Sequence, residues 1–260
     1  MDGKPSILEA GGVGIEASAA LATRRERGAL IWRALLAVLV VGSGMTLSAW
    51  LARRQLHFSS EYPWKSLLVF AAGVLLMLPG LPSHHPFARL GAANVVTLVR
   101  GALVALLVAL VGERRMIAAL MATICATLVI VLDGCDGWLA RRTRMSSPFG
   151  ARFDMEIDAA LVAVLAVLAW KFGKVPAWVL LSGAMRYLYV AAAGFIPLLQ
   201  TPLPASYRAK SIAVIQMLAL LVAVAPWSSL TLAYAVAIFG LACLTLSFLL
   251  DIVWLMRHAV

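Results

Sequence analysis

Asp133-Gly134-Cys135-Asp136-Gly137-Trp138-Leu139-Ala140-Arg141, followed by Gly150, Asp154 and Asp158, is the stretch from which the rest of this chain is read. The chain holds twelve Asp and Glu, and five of them fall within these 26 residues. Carboxylates at the edge of an apolar span are costly, and a group of them marks a functional site. Asp133 and Asp136 are three apart, Asp154 and Asp158 four apart, so on helices each pair projects from one face. Residues 127–136 and 154–168 read as helices joined by a polar turn with Ser146, Ser147 and Pro148. An antiparallel pair of these helices brings the carboxylates face to face. Four such groups repel unless a cation neutralises them, and an all-oxygen donor set suits Mg²⁺ or Mn²⁺. Gly137 and Ala140 leave room beside the acids, and Arg141 offers a planar cation suited to phosphate.

Outward from this stretch the chain is strongly apolar. Hydrophobic residues make up 63% and charged residues 13% of it, the composition of a membrane protein rather than a soluble one. Runs long enough to cross a bilayer place spans near 29–51, 64–82, 94–112, 116–139, 152–171, 176–199, 209–226 and 229–256. The fold class is therefore all-α, a polytopic membrane helix bundle. Residues 1–23 lack the early apolar core of a signal peptide, and residues 1–28 read as a disordered N-terminus. Arg24, Arg25 and Arg27 before the first span put that end in the cytoplasm. With eight spans, twelve Lys and Arg fall on the cytoplasmic side, seven on the other and three within spans. That bias turns the aspartate-rich turn toward the cytoplasm. The net charge of +10 is dispersed around the spans, which fits anionic lipid and argues against nucleic acid.

The pattern Asp-x2-Asp-Gly-x2-Ala-Arg-x8-Gly-x3-Asp-x3-Asp resembles the signature of the CDP-alcohol phosphotransferase family. Every fixed position is filled, by Asp133, Asp136, Gly137, Ala140, Arg141, Gly150, Asp154 and Asp158. The resemblance implies a six-helix catalytic core over residues 83–260, preceded by two extra N-terminal spans in 29–82. It implies Mg²⁺ or Mn²⁺ on Asp133, Asp136, Asp154 and Asp158. It further implies a CDP-alcohol donor such as CDP-diacylglycerol, a small alcohol acceptor, CMP as leaving group, and Asp158 as the general base. Gly137, Ala140, Arg141 and Gly150 are donor-site residues on the same ground, and a homodimer in the bacterial inner membrane is implied too.

Several further polar residues have two readings each. Asn94, Thr97 and Arg100 share a helical face by three-residue spacing. They are either interhelical hydrogen-bonding groups with a snorkelling arginine or, as the resemblance implies, a nucleotide-binding face. Arg186 sits in an apolar run and needs an ion-pair partner or an aqueous cavity; the resemblance makes it an acceptor-binding group. Arg208 and Lys210 are either a positive anchor or part of a phosphate site. The segment Tyr207-Arg208-Ala209-Lys210-Ser211 matches only partly what relatives with phosphorylated acceptors carry. Asp251 pairs with a core arginine. Glu156 faces away from Asp154 and Asp158. Cys125, Cys135 and Cys243 show no pairing or zinc spacing and are packing residues. His84 and His85, being adjacent, do not share a helical face and belong to an interfacial lead-in.

The reading reached is transfer of a phosphatidyl group from CDP-diacylglycerol to a small alcohol, glycerol 3-phosphate among the options. The alternative within enzymes is transfer of phosphocholine or phosphoethanolamine from its CDP form to diacylglycerol. A membrane transport protein is the alternative outside them. It is disfavoured because the acids gather at one membrane edge and no inverted repeat is visible.

Overall fold

The computed structural model describes residues 7–77, 90–113, 116–143, 147–201 and 206–258. Within these ranges the side chains of 7–27 and of Asp136, Trp138, Ala140 and Arg141 lie outside the description. His84 and His85 lie outside the described residues altogether. The described residues form eight helices and no strand. They are α1 (Ile7–Leu56), α2 (Tyr62–Met77), α3 (Ala92–Ala109), α4 (Met116–Thr143), α5 (Pro148–Lys171), α6 (Leu180–Ala193), α7 (Tyr207–Val224) and α8 (Leu230–His258). Short 3-10 turns at Ala177–Val179 and Pro197–Gln200 flank α6. The protein is thus an all-α membrane bundle. Helix α1 runs back to Ile7, through part of the segment expected to be a disordered N-terminus.

Each helix overlaps one of the eight expected spans, yet five are long and apolar enough to cross a membrane. These are Gly28–Leu56 of α1, α3, Met116–Cys135 of α4, α7 and α8. Helix α2 is described over 16 residues, as far as Met77, and α6 has 14 with the 3-10 turn Ala177–Val179 leading into it; both are apolar. Helix α5 is long enough, but Arg152, Asp154, Glu156 and Asp158 crowd its first turns.

In lipid, apolar side chains gain little by turning away from the solvent, so helices associate where small residues let backbones approach. The two most intimate pairs follow this rule. Helices α3 and α4 meet through buried Ala102, Ala105, Ala109, Ala118, Ala122 and Ala126; α7 and α8 meet through Ala219, Ala223, Ala233, Ala237 and Gly240. The large apolar side chains point outward instead, Leu39, Val40, Leu75, Leu76, Ile238 and Phe239 among them, as acyl-chain contact requires. Helix α3 is the hub, packing against α1, α2, α4 and α5. Cys125 is buried as a packing residue should be, whereas Cys135 is exposed.

Successive helices run in alternate directions, which gives the bundle two different ends. At one end the connecting turns are tied by hydrogen bonds between backbone and side-chain groups. Ser59 N donates to Glu113 Oε1 at 2.9 Å, and Lys174 Nζ donates to Ser228 O at 2.6 Å. Gly112 and Gly173 turn the chain there with φ of 106° and 69°, which side-chain-bearing residues resist. At the other end lie the start of α3, the end of α4, the start of α5, the start of α7 and the end of α8. All the ionised groups discussed below gather there or in the half of the bundle beneath it.

Helices α5 and α6 touch most closely at Gly183, where an added Cβ would stand 2.6 Å from Ala163 Cα. Backbone cannot give way as a flexible side chain can. Gly183→Ala is expected to lower stability by about 1–3 kcal/mol. Gly44→Ala on α1, with nothing within 4 Å of the new methyl, is expected to lose nothing. Thermal unfolding of both variants in detergent checks the pair.

Candidate active site

The aspartates are set in place by two ordinary local devices. Helix α5 starts on Ser147, whose Oγ accepts from Gly150 N at 3.0 Å, with Pro148 at the first helical position. A serine cap and a proline at N1 fix where a helix begins. That fixes Asp154 and Asp158 one turn apart on the same face of α5. On the facing side, Asp133 lies in the last third of α4. Asp136 follows three residues later on that helix, its side chain outside the description.

Direct pairing of the two motif helices is not what joins these acids. Helix α4 packs chiefly on α3, and α5 packs on α3 as well as on α6 and α7; Arg100 of α3 stands between α4 and α5. Arg100 is fully buried. Its Nη2 lies 2.8 Å from Asp133 Oδ1. Nη1 donates to Asp154 Oδ1 and Nη2 to Asp158 Oδ1. A guanidinium suits this task because its planar fork can meet several carboxylates at once. Carboxylate oxygens of Asp133, Asp154 and Asp158 all lie within 4.8 Å of one another.

The charge count bears on what else binds there. Three carboxylates against one guanidinium leave a formal −2 among these described side chains. The donors are all oxygen and partly exposed, with side chains of Asp133, Asp154 and Asp158 at 31%, 39% and 27%. A hard divalent cation matches both the charge and the donor type. Asp133, Asp154 and Asp158 therefore fit the expected Mg²⁺ or Mn²⁺ ligands, sharing their carboxylates with Arg100.

The other expected donor-site residues are distributed unevenly. Thr97 and Asn94 are buried one and two turns before Arg100 on α3. Asn94 Nδ2 donates to Leu90 O at 2.6 Å, and Thr97 Oγ1 to Ala93 O at 3.1 Å. An added Cβ on Gly150 would stand 2.7 Å from Asn94 Oδ1 and 3.3 Å from Ser147 Oγ. The space left by this glycine is thus filled by Asn94, so that α3 and the α5 start close together. Gly137 is half-buried on α4, one turn past Asp133. The side chains of Ala140 and Arg141 are outside the description.

Beside the cluster, α5, α6, α7 and α8 enclose a cavity of about 230 Å³. Asp158 lines it, with Ser182, Gly183, Arg186, Gln216, Ser247 and Asp251 among the others. Arg186 pairs with Glu156, which explains why that glutamate points away from Asp154 and Asp158. Arg208 donates to Ser247 Oγ at 2.8 Å and to Asp251, so Asp251 has its arginine. Lys210 is exposed and not part of the cavity wall. Of the three expected acceptor cations, Arg186 lines the cavity, Arg208 bonds Ser247 and Asp251 of its wall, and Lys210 is not among its lining residues. Ser182, Gln216 and Ser247 went unremarked in the sequence. The available signal was a lone amide at position 216 inside the apolar span 209–226, where a polar group asks for a reason.

The family model described as CDP-alcohol phosphatidyltransferase matches residues 90–248. That range begins just before α3 and ends within α8, so it covers the whole site and leaves out α1 and α2. Neither curated proteins nor solved structures give a significant match to the chain.

Cation binding at the cluster is expected to be visible without turnover. Mg²⁺ or Mn²⁺ at a hundredfold excess over Kd stabilises a protein by about 2.7 kcal/mol, and that shift is expected here on adding the cation after EDTA. Asp154→Asn removes one donor and is expected to shrink the shift. Melting curves of both proteins, with and without cation, check this.

Proposed function

The chain belongs to the CDP-alcohol phosphatidyltransferase family, and on that footing we propose that it moves a phosphatidyl group from CDP-diacylglycerol to a small alcohol with release of CMP. Membership makes it a membrane transferase of substituted phosphate groups that takes a CDP-alcohol as donor. The finer reading rests above all on Asp158. This one residue belongs to the aspartate cluster and also lines the adjacent cavity. A carboxylate shared between a phosphate-handling cluster and an open cavity is where an acceptor hydroxyl and a donor phosphorus can meet.

Asp133, Asp154 and Asp158, with Asp136, would hold Mg²⁺ or Mn²⁺, which would supply charge neutralisation at the donor pyrophosphate. Asp158 takes the proton of the acceptor hydroxyl. The acceptor oxygen forms its bond to the phosphatidyl phosphorus as the bond from that phosphorus to the CMP oxygen breaks. Arg141 contacts a donor phosphate, and Gly137 and Ala140 leave the nucleotide its room. Arg100 keeps the three carboxylates in register. Asn94 and Thr97 hold the helix face from which it projects, and Asn94 fills the space at Gly150. The site faces the cytoplasm of a bacterial inner membrane, a placement supported by the distribution of Lys and Arg.

Transfer is direct, the acceptor oxygen displacing CMP at phosphorus with no enzyme-bound intermediate. Labelled CDP-diacylglycerol without acceptor is expected to leave no label on the protein. With Mg²⁺ and a panel of alcohols, the purified protein is expected to release CMP from CDP-diacylglycerol. Asp158→Asn is expected to slow this by about 10²–10⁴, the usual worth of general-base catalysis. Release of CMP from CDP-choline and diacylglycerol instead would assign the site to the opposite use of the same chemistry.

A further inference from the structure

We propose that the cavity between α5, α6, α7 and α8 selects an uncharged, polyhydroxylated acceptor, read by Gln216 and Ser182, and rejects phosphorylated ones. This rests on the transferase reading above and names the substrate class of the same site.

The first observation is a set of uncommitted polar atoms. Gln216 is 1% exposed, and among the described residues neither its Nε2 nor its Oε1 has a hydrogen-bond partner. Ser182 is 3% exposed, and its Oγ has none either. Both residues line the cavity, as does Arg186, whose Nε is also unpartnered. Buried polar groups are almost always satisfied, and an unsatisfied one carries its full desolvation penalty. Two such side chains on the wall of one cavity mark groups that a ligand satisfies. An amide presents one donor side and one acceptor side, and a serine hydroxyl can do both. A ligand hydroxyl also does both, so an alcohol with several hydroxyls matches this wall.

The fold makes room for Gln216 specifically. An added Cβ on Gly240 would stand 2.5 Å from Gln216 Oε1. A methyl at 240 would displace the amide end from where it lies, so Gly240 leaves Gln216 its present place against α8.

The second observation is charge. Arg186 is matched by Glu156, and Arg208 by Asp251. Asp158 adds a further carboxylate to the wall, and Lys210 is not part of it. Among the described residues the cavity thus brings no unmatched positive charge to a phosphate monoester. A dianion placed there would face Asp158 and Asp251 with no cation to spare, which like-charge repulsion opposes.

The test uses the full-length protein in detergent with Mg²⁺ and CDP-diacylglycerol. The acceptors are glycerol and myo-inositol, their phosphate monoesters, and serine and choline. Uncharged polyols are expected to support CMP release with kcat/KM at least about tenfold above the phosphorylated and amino alcohols, the size of one lost hydrogen bond or more. Gln216→Met keeps the volume and removes both amide atoms. It is expected to raise the acceptor KM about tenfold, leave the CDP-diacylglycerol KM unchanged, and keep or raise the melting temperature. Ser182→Ala is expected to act in the same direction and serves if the first variant does not fold. Preference for a phosphate monoester or an amino alcohol overturns the proposal while the transferase reading stands. So does an unchanged acceptor KM in folded Gln216→Met. CMP release with no acceptor at all breaks the transferase reading instead. In that event calorimetric titration of myo-inositol and glycerol still decides. Heat with the wild type that is lost in Gln216→Met upholds the cavity assignment, and no heat with the wild type overturns it.

Discussion

A guanidinium withdrawn from solvent in the middle of a membrane bundle has to be met by carboxylates, and among the described side chains Arg100 is met by three. Neither side of this contact is tolerable alone. An unpaired arginine in hydrocarbon is costly by any scale, and three carboxylates within 4.8 Å of one another repel. Burying an ion pair is rarely a net gain in stability, yet removing one partner is strongly destabilising because it strands the other. The cluster therefore serves position more than stability. It fixes α3, α4 and α5 against one another at one end of the bundle. The excess of acid over base left after Arg100 is what would let that end hold a cation.

The same logic of matched charge recurs toward α6, α7 and α8, with a different outcome. Arg186 with Glu156 and Arg208 with Asp251 are one-to-one pairs. They tie α6 to α5 and α7 to α8 without leaving a surplus of either sign. Between these neutral pairs lies the cavity, bordered by Asp158. One half of the site is thus charged and suited to pyrophosphate and metal, while the other half is balanced and polar. Small residues set the distances throughout. Gly150 lets Asn94 in, Gly183 lets α6 onto α5, and Gly240 lets Gln216 lie against α8.

Much of this was legible in the chain because membrane proteins write their constraints in charge. The aspartates at spacing three and four, the apolar runs and Asn94-x-x-Thr97-x-x-Arg100 gave the helix class, the cluster and the helix that carries Arg100. Partner choice was not legible. Arg100 is 33 residues from Asp133 and 58 from Asp158, and no local pattern says that α3 rather than direct α4–α5 contact bridges them. Gly150 read as room for a ligand; that its missing methyl is filled by Asn94 depends on a crossing that only the packed bundle defines.

Gln216 shows why the acceptor side is the harder half to read. A carboxylate cluster announces itself because so few acids occur in such a chain. An amide in an apolar span has two readings that sequence does not separate. It can hydrogen-bond a neighbouring helix, which is the common fate of polar side chains in bundles, or stay uncommitted on the wall of a cavity. The first needs a partner within reach and the second needs none to exist. With Gly240 on one side and the cavity on the other, the partner is missing. The penalty of leaving the amide unsatisfied then becomes, in an occupied site, the discrimination between an alcohol that satisfies it and one that does not.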